Sequence, residues 1–181
     1  MKTIYTVLIC FIFTSLISAQ ERYLTKNGSI TFFSSTPIED IKADNNQVLS
    51  IIDASSGKMA ISILMKSFMF KKALMQEHFN ENYVESDKYP KATFKGSILD
   101  FDTILSIKNK AKVTGTLTIH GVSKEVTIEA NFVKSKEAID VDGEFILNLA
   151  DFNIKIPAVV SKNIQENIKV SFNLNHKPYN K

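Results

Sequence analysis

The sequence is poor in cysteine, tryptophan, glycine and proline. Among 181 residues it has one cysteine, no tryptophan, six glycines and four prolines. A single cysteine excludes an internal disulfide framework and a cysteine-based zinc site. The low glycine and proline content excludes collagen-like and low-complexity chains. The composition therefore indicates an ordinary globular protein with one domain, or at most two small ones.

The charge is nearly balanced. There are 22 Lys and Arg residues against 19 Asp and Glu residues, which gives a formal net charge of +3. That excess is too small for a protein whose binding depends on phosphate contacts, so no nucleic-acid partner is predicted. The aromatic residues are mostly Phe, 13 against five Tyr. Phe carries no polar group, which indicates that aromatic surface is used for apolar burial.

The N-terminal residues have the layout of a secretory signal peptide. Lys2 precedes a mostly apolar run from Ile4 to Ile17, and the small residues Ser18 and Ala19 follow it. This run is shorter than the roughly 20 apolar residues of a transmembrane helix, and no later stretch approaches it. Residues 1–19 are therefore predicted to be a signal peptide cleaved after Ala19. We expect an exported protein, periplasmic rather than fully secreted, with no stable membrane insertion.

Beyond that point the hydrophobic pattern has a period of two. Four segments alternate clearly between apolar and polar residues: Val113–Ile119, Val126–Phe132, Ile139–Phe145 and Ile168–Leu174. Four weaker runs are Ser29–Ser34, Val48–Ile52, Met59–Leu64 and Ala92–Leu99. Such segments are typical of half-buried antiparallel strands, here separated by turn signals at Asn27-Gly28, Ser56-Gly57 and His120-Gly121. The sequence predicts an all-β barrel or sandwich of about eight strands.

One segment favours a helix. Residues 70–83 are rich in good helix formers, and Pro90 prevents continuation, so a helix over roughly 71–82 is predicted. Met75, Phe79 and Tyr83 are spaced four residues apart and share one face of that helix. This stripe is interpreted either as core packing or as a flexible apolar lid over a ligand.

Residues with catalytic or metal-binding chemistry form no known motif. His78, His120 and His176 lack metal-ligand spacing, and the sequence has no GxSxG, P-loop or GxGxxG pattern. We therefore predict no catalytic residue, no metal and no cofactor. A strand-face triplet of Asp140, Asp142 and Glu144 allows a calcium site or a solvated outer face. The solvated face is favoured because the opposite face of that strand is apolar.

Three segments resemble the YceI-like family. Residues 113–128 (VTGTLTIHGVSKEVTI) are similar to its central hairpin, and residues 78–80 (HFN) and 89–96 (YPKATFKG) match its helix–loop–strand segment. The resemblance covers essentially all of residues 20–181, which we interpret as one domain. It implies an exported, lipocalin-like antiparallel barrel of about eight strands with one packed or capping helix. It also implies a lumen that holds an amphiphile with a long apolar tail, typically a polyisoprenoid, without assigned chemistry.

Three glycines fall in the middle of predicted strands. Gly96, Gly115 and Gly143 lie on the apolar parity of their strands. A tight four-residue connection from Gly121 to Lys124 would place Gly115 opposite Ala130. Two interpretations remain open: the missing side chains leave space for a ligand, or the glycines let the barrel wall coil.

The apolar parity defines the predicted lumen. Its residues are Phe94, Gly96, Ile98, Val113, Gly115, Leu117, Ile119, Val126, Ile128, Ala130, Phe132, Val141, Gly143, Phe145, Val170 and Phe172. The first functional hypothesis is a non-enzymatic carrier or sequestering protein for a long-chain isoprenoid or other lipid. The alternative is an enzyme acting on a lumen-bound lipid or small apolar substrate. It would need a polar residue on the lumen parity, which is apolar or glycine on the four clear strands. A third hypothesis, an interaction module using the outer face, has no evident partner patch.

Overall fold

The structure is a computed structural model that describes residues 21–102, 110–135 and 137–179. The predicted signal peptide, residues 1–19, lies outside the described residues. The strands are β1 (Arg22–Ser35), β2 (Asp40–Asp53), β3 (Lys58–Leu64), β4 (Met69–Phe70), β5 (Lys91–Ile98), β6 (Lys110–Ile119), β7 (Val122–Lys134), β8 (Ile139–Asn148) and β9 (Asn167–Tyr179). The α-helix α1 (Ala73–His78) leads directly into a π-helical turn at Phe79–Tyr83.

The strands close into an antiparallel barrel. Their order is β1-β9-β8-β7-β6-β5-β3-β2, and β2 pairs back with β1, while the two-residue β4 adds to β2. Eight strands therefore form a continuous wall, which confirms the predicted all-β, lipocalin-like fold. An eight-stranded barrel has an interior that side chains fill or that holds one small ligand.

Alternation along the strands builds the core. On β6, Ala111, Val113 and Leu117 are buried, and the residues between them face outward or are partly exposed. A strand places successive side chains on opposite faces, so a period of two delivers one apolar face to the barrel interior. The four clear segments of the sequence all lie within observed strands, β6 to β9.

The predicted turn at Asn27-Gly28 is wrong. Strand β1 runs through these residues, and its register with β2 shifts on either side of Gly28. Gly28 is buried against Leu174 and Val48. The dipeptide therefore forms a β-bulge, which inserts an extra residue and bends the strand without ending it.

The first half of β2 gave little sequence signal because a polar residue occupies an interior position. Asn45 is fully buried, where an apolar residue would have continued the alternation. Its Nδ2 donates to the Leu64 carbonyl at 2.9 Å, and its Oδ1 accepts from the Gln47 N–H at 2.9 Å. Burial of an amide is tolerated when its groups are hydrogen-bonded in this way.

The predicted register of the β6–β7 hairpin is also wrong. Gly115 lies opposite Val126, and Ala130 lies opposite Ala111. The connection is a two-residue turn at His120-Gly121, with φ of 51° and 75°. Two successive left-handed residues match the twist of a tight hairpin, so the turn is shorter than the predicted connection from Gly121 to Lys124. The strand faces are nevertheless preserved, because the change moves the pairing by an even number of residues.

The helical segment starts later than the predicted 71–82, and only its first part is α-helical. Lys72 is extended, with φ −110° and ψ 124°, and no side chain caps the helix start. The helical backbone begins at Ala73 and continues through the π-helical turn to Tyr83. This turn brings Phe79 into the core, where it is buried.

A buried histidine lies at the end of the barrel that carries the β2–β3 and β7–β8 turns, here called the far end. The His176 ring is fully buried; Nδ1 lies 3.1 Å from the Ile139 carbonyl and Nε2 lies 2.8 Å from Ser50 Oγ. Burial lowers the pKa of His176 below its ordinary value of 6.5, although the hydrogen bond with the Ile139 carbonyl opposes this. The folded protein therefore favours the neutral ring.

We expect the stability of the protein to fall as the pH drops below about 6.5. Below that pH the histidine is protonated in the unfolded chain, whereas burial disfavours protonation of His176 in the folded protein. Proton binding therefore stabilises the unfolded state relative to the folded state. The stabilisation is complete above the unfolded pKa and is lost as the pH falls toward the folded pKa. Urea unfolding between about pH 5.5 and 8 measures this slope. His176→Gln should flatten the slope, and the exposed-site control His78→Gln should not; equal slopes in all three proteins would contradict the assignment.

Candidate functional site

The barrel contains a cavity at the end that carries α1, here called the mouth end. This main cavity has a volume of about 240 Å³, and a second cavity of about 70 Å³ lies deeper in the barrel. Ile30, Ile63, Leu117 and Phe145 line both cavities, which are therefore neighbours along the barrel. His78 is exposed and also lines the main cavity, so this cavity reaches the surface beside α1.

Barrel strands and three connecting segments build the wall of the main cavity. Residues 36–39 join β1 to β2, residues 65–90 join β3 to β5, and residues 149–166 join β8 to β9. The lining residues are Ile30, Phe32, Ser34, Glu39, Ile41, Ile63, Met65, Phe68, Phe70, Met75, His78, Phe79, Tyr83, Val84, Ala92, Leu117, Ile119, Phe145, Leu147, Leu149, Ile154, Ile156, Val160, Asn163, Ile164, Ile168 and Val170. Most are apolar, and no lysine or arginine is among them.

Four phenylalanine rings form an aromatic cluster on this wall. Phe79 lies 5.4 Å from Phe32, 5.6 Å from Phe68 and 5.0 Å from Phe70, measured between ring centroids. Tilted and edge-on rings at these distances attract each other and bury a large apolar area. The cluster fixes the helical segment against β1. No sequence pattern predicted Phe68 and Phe70 as cavity residues, because they precede the helix and follow no hydrophobic period.

Ten of the sixteen predicted lumen residues line one cavity or both. They are Phe94, Val113, Leu117, Ile119, Ile128, Ala130, Val141, Phe145, Val170 and Phe172. The other six line neither cavity: Gly96, Ile98, Gly115, Val126, Phe132 and Gly143. Ile98 and Phe132 are buried in the packed core, and Val126 is partly buried against it. Met75, Phe79 and Tyr83, the predicted lid residues, all line the main cavity.

The mid-strand glycines allow close approach of backbones, and the interpretation of ligand space at these positions is wrong. Gly96 and Gly115 face each other across β5 and β6. A Cβ on Gly96 would lie 2.2 Å from the Thr114 carbonyl oxygen, and one on Gly115 would lie 2.3 Å from the Lys95 carbonyl oxygen. The side-chain space at these two positions is therefore occupied by neighbouring backbone. At Gly143 the ring of Phe172 fills it, 2.8 Å from such a Cβ.

Polar side chains gather where the main cavity meets the surface. The carboxylate of Glu39 pairs with the Lys72 ammonium and also accepts a hydrogen bond from Asn163. The hydrogen bond from Lys72 lowers the pKa of Glu39, more than partial burial raises it. Burial raises the pKa of Tyr83 on the same wall. Glu39 and Asn163 lie in connections without periodicity, so no sequence signal marked them.

Removing the Lys72 ammonium should raise the pKa of Glu39 back toward its ordinary value of 4.5. We expect this for Lys72→Met because the largest cause of the lowered pKa is the hydrogen bond from Lys72. A ¹³C NMR titration of the glutamate carboxyls measures the shift directly. Lys71→Met removes a neighbouring charge without that hydrogen bond and serves as the control. A Glu39 pKa that is the same in both variants would contradict the pairing.

His120 contacts two of the connecting segments at the mouth end of the barrel. Its Nε2 lies 2.6 Å from Glu85 Oε2, its Nδ1 lies 3.2 Å from the Phe152 carbonyl oxygen, and its ring contacts Tyr89 edge-on at 4.7 Å. These partners belong to the connecting segments 65–90 and 149–166, whereas His120 belongs to the β6–β7 turn. Both ring nitrogens are engaged, and His120 does not line either cavity. The arrangement is that of a structural anchor.

The acidic triplet on β8 lies on the outer wall and has neighbouring-strand partners. Asn175 donates to Asp140, Asn131 donates to Asp142 at 2.8 Å, and Lys169 pairs with Glu144 at 2.6 Å. Within residues 21–102, 110–135 and 137–179, no group of three or more His, Cys, Asp or Glu side chains is arranged to hold a metal ion. In the same part of the chain, no helix has the length and apolar character needed to span a membrane.

Together, the closed antiparallel barrel, its apolar cavity and its capping helix place the protein in the class of lipocalin-like barrels. The particular family is given by the sequence: the YceI-like domain profile matches residues 23–176. The chain belongs to this family, as the hairpin and helix–loop–strand segments predict.

Curated relatives carry the name UPF0312. The UPF0312 protein VPA0850 of Vibrio parahaemolyticus is 37% identical over 81 residues, and the match covers 41% of each chain. The UPF0312 protein PputW619_0484 of Pseudomonas putida is 29% identical over 135 residues, which covers 70% of this chain and 68% of the relative. The chain thus matches less than half the length of the Vibrio relative.

Solved structures share the fold. A polyisoprenoid binding domain from Saccharophagus degradans superimposes with a TM-score of 0.76 at 17% identity, covering 88% of this chain and 99% of that domain. BcnA of Burkholderia cenocepacia gives a TM-score of 0.70 at 18% identity, covering 82% of this chain and 95% of that one. At these identities the likeness concerns the barrel architecture.

Proposed function

We propose that the protein is a non-enzymatic carrier or sequestering protein for a lipid with a long apolar tail, such as a polyisoprenoid. The observation that carries this proposal is the main cavity, which has an almost wholly apolar wall inside the barrel and polar groups at its mouth. An apolar tail in the cavity is removed from water, which contributes about 0.8 kcal/mol for each buried CH₂ group. The family membership and the Saccharophagus neighbour, described as polyisoprenoid binding, support the same ligand class.

The polar groups at the mouth suit the head group of such an amphiphile. Glu39 and Asn163 line the main cavity and lie at its surface opening, so they are within reach of a head group while the tail lies inside. Ligand sites commonly combine an apolar wall with a few placed polar groups that fix orientation. The proposal includes no turnover of the lipid, because most of the residues that line the cavity are apolar.

Organic extraction of the purified protein followed by mass spectrometry tests the ligand class. We expect a lipid with a long apolar tail to be recovered unmodified and in stoichiometric amount. Protein that carries none should take up added isoprenoid or fatty acyl probes in a fluorescence titration. Repeated recovery of protein without lipid, together with no uptake of either probe, would contradict the carrier role. Conversion of the probe to a product would favour the enzyme alternative.

We also propose that the protein is exported after removal of residues 1–19. The basic start, the apolar run and Ala19 support this proposal. The intact mass of exported protein should correspond to a chain that begins at Gln20. Exported protein that retains residues 1–19, or that remains in the membrane pellet after a salt wash, would contradict it.

A further inference from the structure

Among the large apolar side chains exposed at the mouth of the main cavity are three that we call the apolar rim. They are Ile38 in the β1–β2 connection, Leu74 in α1 and Val159 in the turn at 158–160, with exposed fractions of 60%, 61% and 91%. Each is next in sequence to a residue that lines the cavity. Isolated exposed apolar residues are common on protein surfaces, but several gathered around one opening mark an interaction site.

The contacts of Glu39 hold the three parts of the apolar rim together. Glu39 follows Ile38 in the chain, pairs with Lys72 at the start of α1, and accepts a hydrogen bond from Asn163. The Asn163 N–H in turn donates to the carbonyl of Val160, at 2.9 Å, within the turn that carries the third rim residue. One carboxylate therefore connects the three segments that carry the rim residues.

The charges around the rim have a small positive excess. The mouth segments 36–40, 69–78 and 155–163 contain four lysines and three acidic residues. Glu39 and Lys72 pair with each other, which leaves three lysines and two acidic residues, Asp40 and Glu77. The lysine side chains are exposed. Apolar side chains with lysines beside them match the interfacial region of a bilayer that contains anionic lipid.

We propose that the apolar rim docks reversibly on the surface of an anionic phospholipid bilayer, with the mouth of the cavity facing the membrane. The inference rests on the proposed function, because a long apolar tail then passes between bilayer and cavity without crossing water. The rim side chains enter the head-group region and the lysines attract the anionic head groups. A protein partner seated on the same rim would close the cavity mouth and would not require anionic lipid.

Because the chain has no tryptophan, a single introduced tryptophan reports its own contact with lipid. Val159→Trp places the reporter on the rim. Val133→Trp places it on the outer wall near the β7–β8 turn, at the far end, where the native residue is 52% exposed. Vesicles of phosphatidylcholine and phosphatidylglycerol that carry a brominated acyl chain should quench the rim tryptophan and leave the far-end tryptophan unchanged. Quenching should weaken in high salt and in vesicles of phosphatidylcholine alone.

A rim variant separates docking from ligand binding. The triple substitution Ile38→Ser, Leu74→Ser and Val159→Ser should lower vesicle partitioning about tenfold, since each lost side chain removes apolar burial. Uptake of a detergent-dispersed isoprenoid alcohol should stay unchanged, because none of the three residues lines the cavity. Absence of vesicle binding by the wild type, equal quenching at both tryptophans, or undiminished partitioning of the triple variant would overturn the docking proposal. Failure of isoprenoid uptake without vesicles would instead contradict the proposed function, and the vesicle results would still decide on docking.

Discussion

Ala92→Phe is expected to abolish most lipid binding while the barrel stays folded. Ala92 is buried on β5 and lines the main cavity, opposite Ile63 of β3. A phenyl ring there extends into space that the lipid tail would occupy. Displacing two or three methylenes at about 0.8 kcal/mol each removes about 2 kcal/mol of binding, or roughly 30-fold in affinity. Titration with an isoprenoid probe measures the loss, and urea unfolding measures stability.

A matched control distinguishes a cavity from a packed core. Ala43 on β2 is fully buried but lines neither cavity. Adding a large side chain to a well-packed site costs about 1–3 kcal/mol in strain, so Ala43→Phe should destabilise clearly. Ala92→Phe should lose less stability than Ala43→Phe, because its ring can occupy the main cavity. Unchanged probe affinity in Ala92→Phe would mean that the ligand does not occupy the main cavity.

An intermediate case is available at Ala130. This residue lines only the smaller, deeper cavity. Ala130→Phe should therefore cost more stability than Ala92→Phe, since about 70 Å³ offers less room for a ring. Thr116→Phe, at a partly exposed position of β6 that lines neither cavity, should leave probe affinity unchanged. The stability losses of the three alanine-to-phenylalanine variants therefore rank the free space beside Ala92, Ala130 and Ala43.

The barrel was predictable because its strands show an alternating pattern in the sequence. A half-buried antiparallel strand must alternate between apolar and polar residues, and β6 to β9 do so over most of their length. The first half of β2 was missed because buried Asn45 replaces an apolar residue. The bulge at Gly28 was mistaken for a turn because a turn and a bulge both favour Asn-Gly. Local composition does not say whether the chain reverses or continues.

The site was predictable on the barrel wall but not at its mouth. Strand parity placed ten lumen residues beside a cavity, and the helical stripe placed Met75, Phe79 and Tyr83 there. Parity tells which face a residue occupies but not how far along the barrel it lies. Phe132 and Ile98 share the inward face and are packed in the core. The polar mouth, built around Glu39 and Asn163, depends on contacts between distant connections, which no spacing in the sequence records.

The glycines show why parity alone misled. Gly115 has the inward parity that suggested open space, yet Gly96 of β5 lies directly opposite. The predicted register paired Gly115 with Ala130 and made no prediction about the pairing of β6 with β5. Two glycines in register allow the β5 and β6 backbones to approach more closely than any pair with side chains. The pairing of β6 with β7 therefore does not show which atoms of β5, on the other side of β6, occupy the space beside Gly115.

Gly115→Ala should destabilise the protein severely. The new Cβ would lie 2.3 Å from the Lys95 carbonyl oxygen and 2.4 Å from Gly96 Cα, distances that no real Cβ keeps. Both obstacles are backbone atoms of a paired strand, so β5 must move for the variant to fold. We expect a loss of about 3 kcal/mol or more, despite the gain of about 0.4–1 kcal/mol that alanine brings by restricting the unfolded chain.

Gly143→Ala is the matched comparison, because its nearest obstacle can yield. There the Cβ would meet the end of the Phe172 ring at 2.8 Å and the Glu129 carbonyl oxygen at 3.0 Å. A ring can turn within its side-chain torsions, so we expect a loss of about 1 kcal/mol. Urea unfolding of both variants and the wild type gives the two differences. If Gly115→Ala were as stable as the wild type, β5 and β6 would not be in close contact. The inner face at Gly115 would then be open, and the ligand cavity would extend along β6 beyond Leu117.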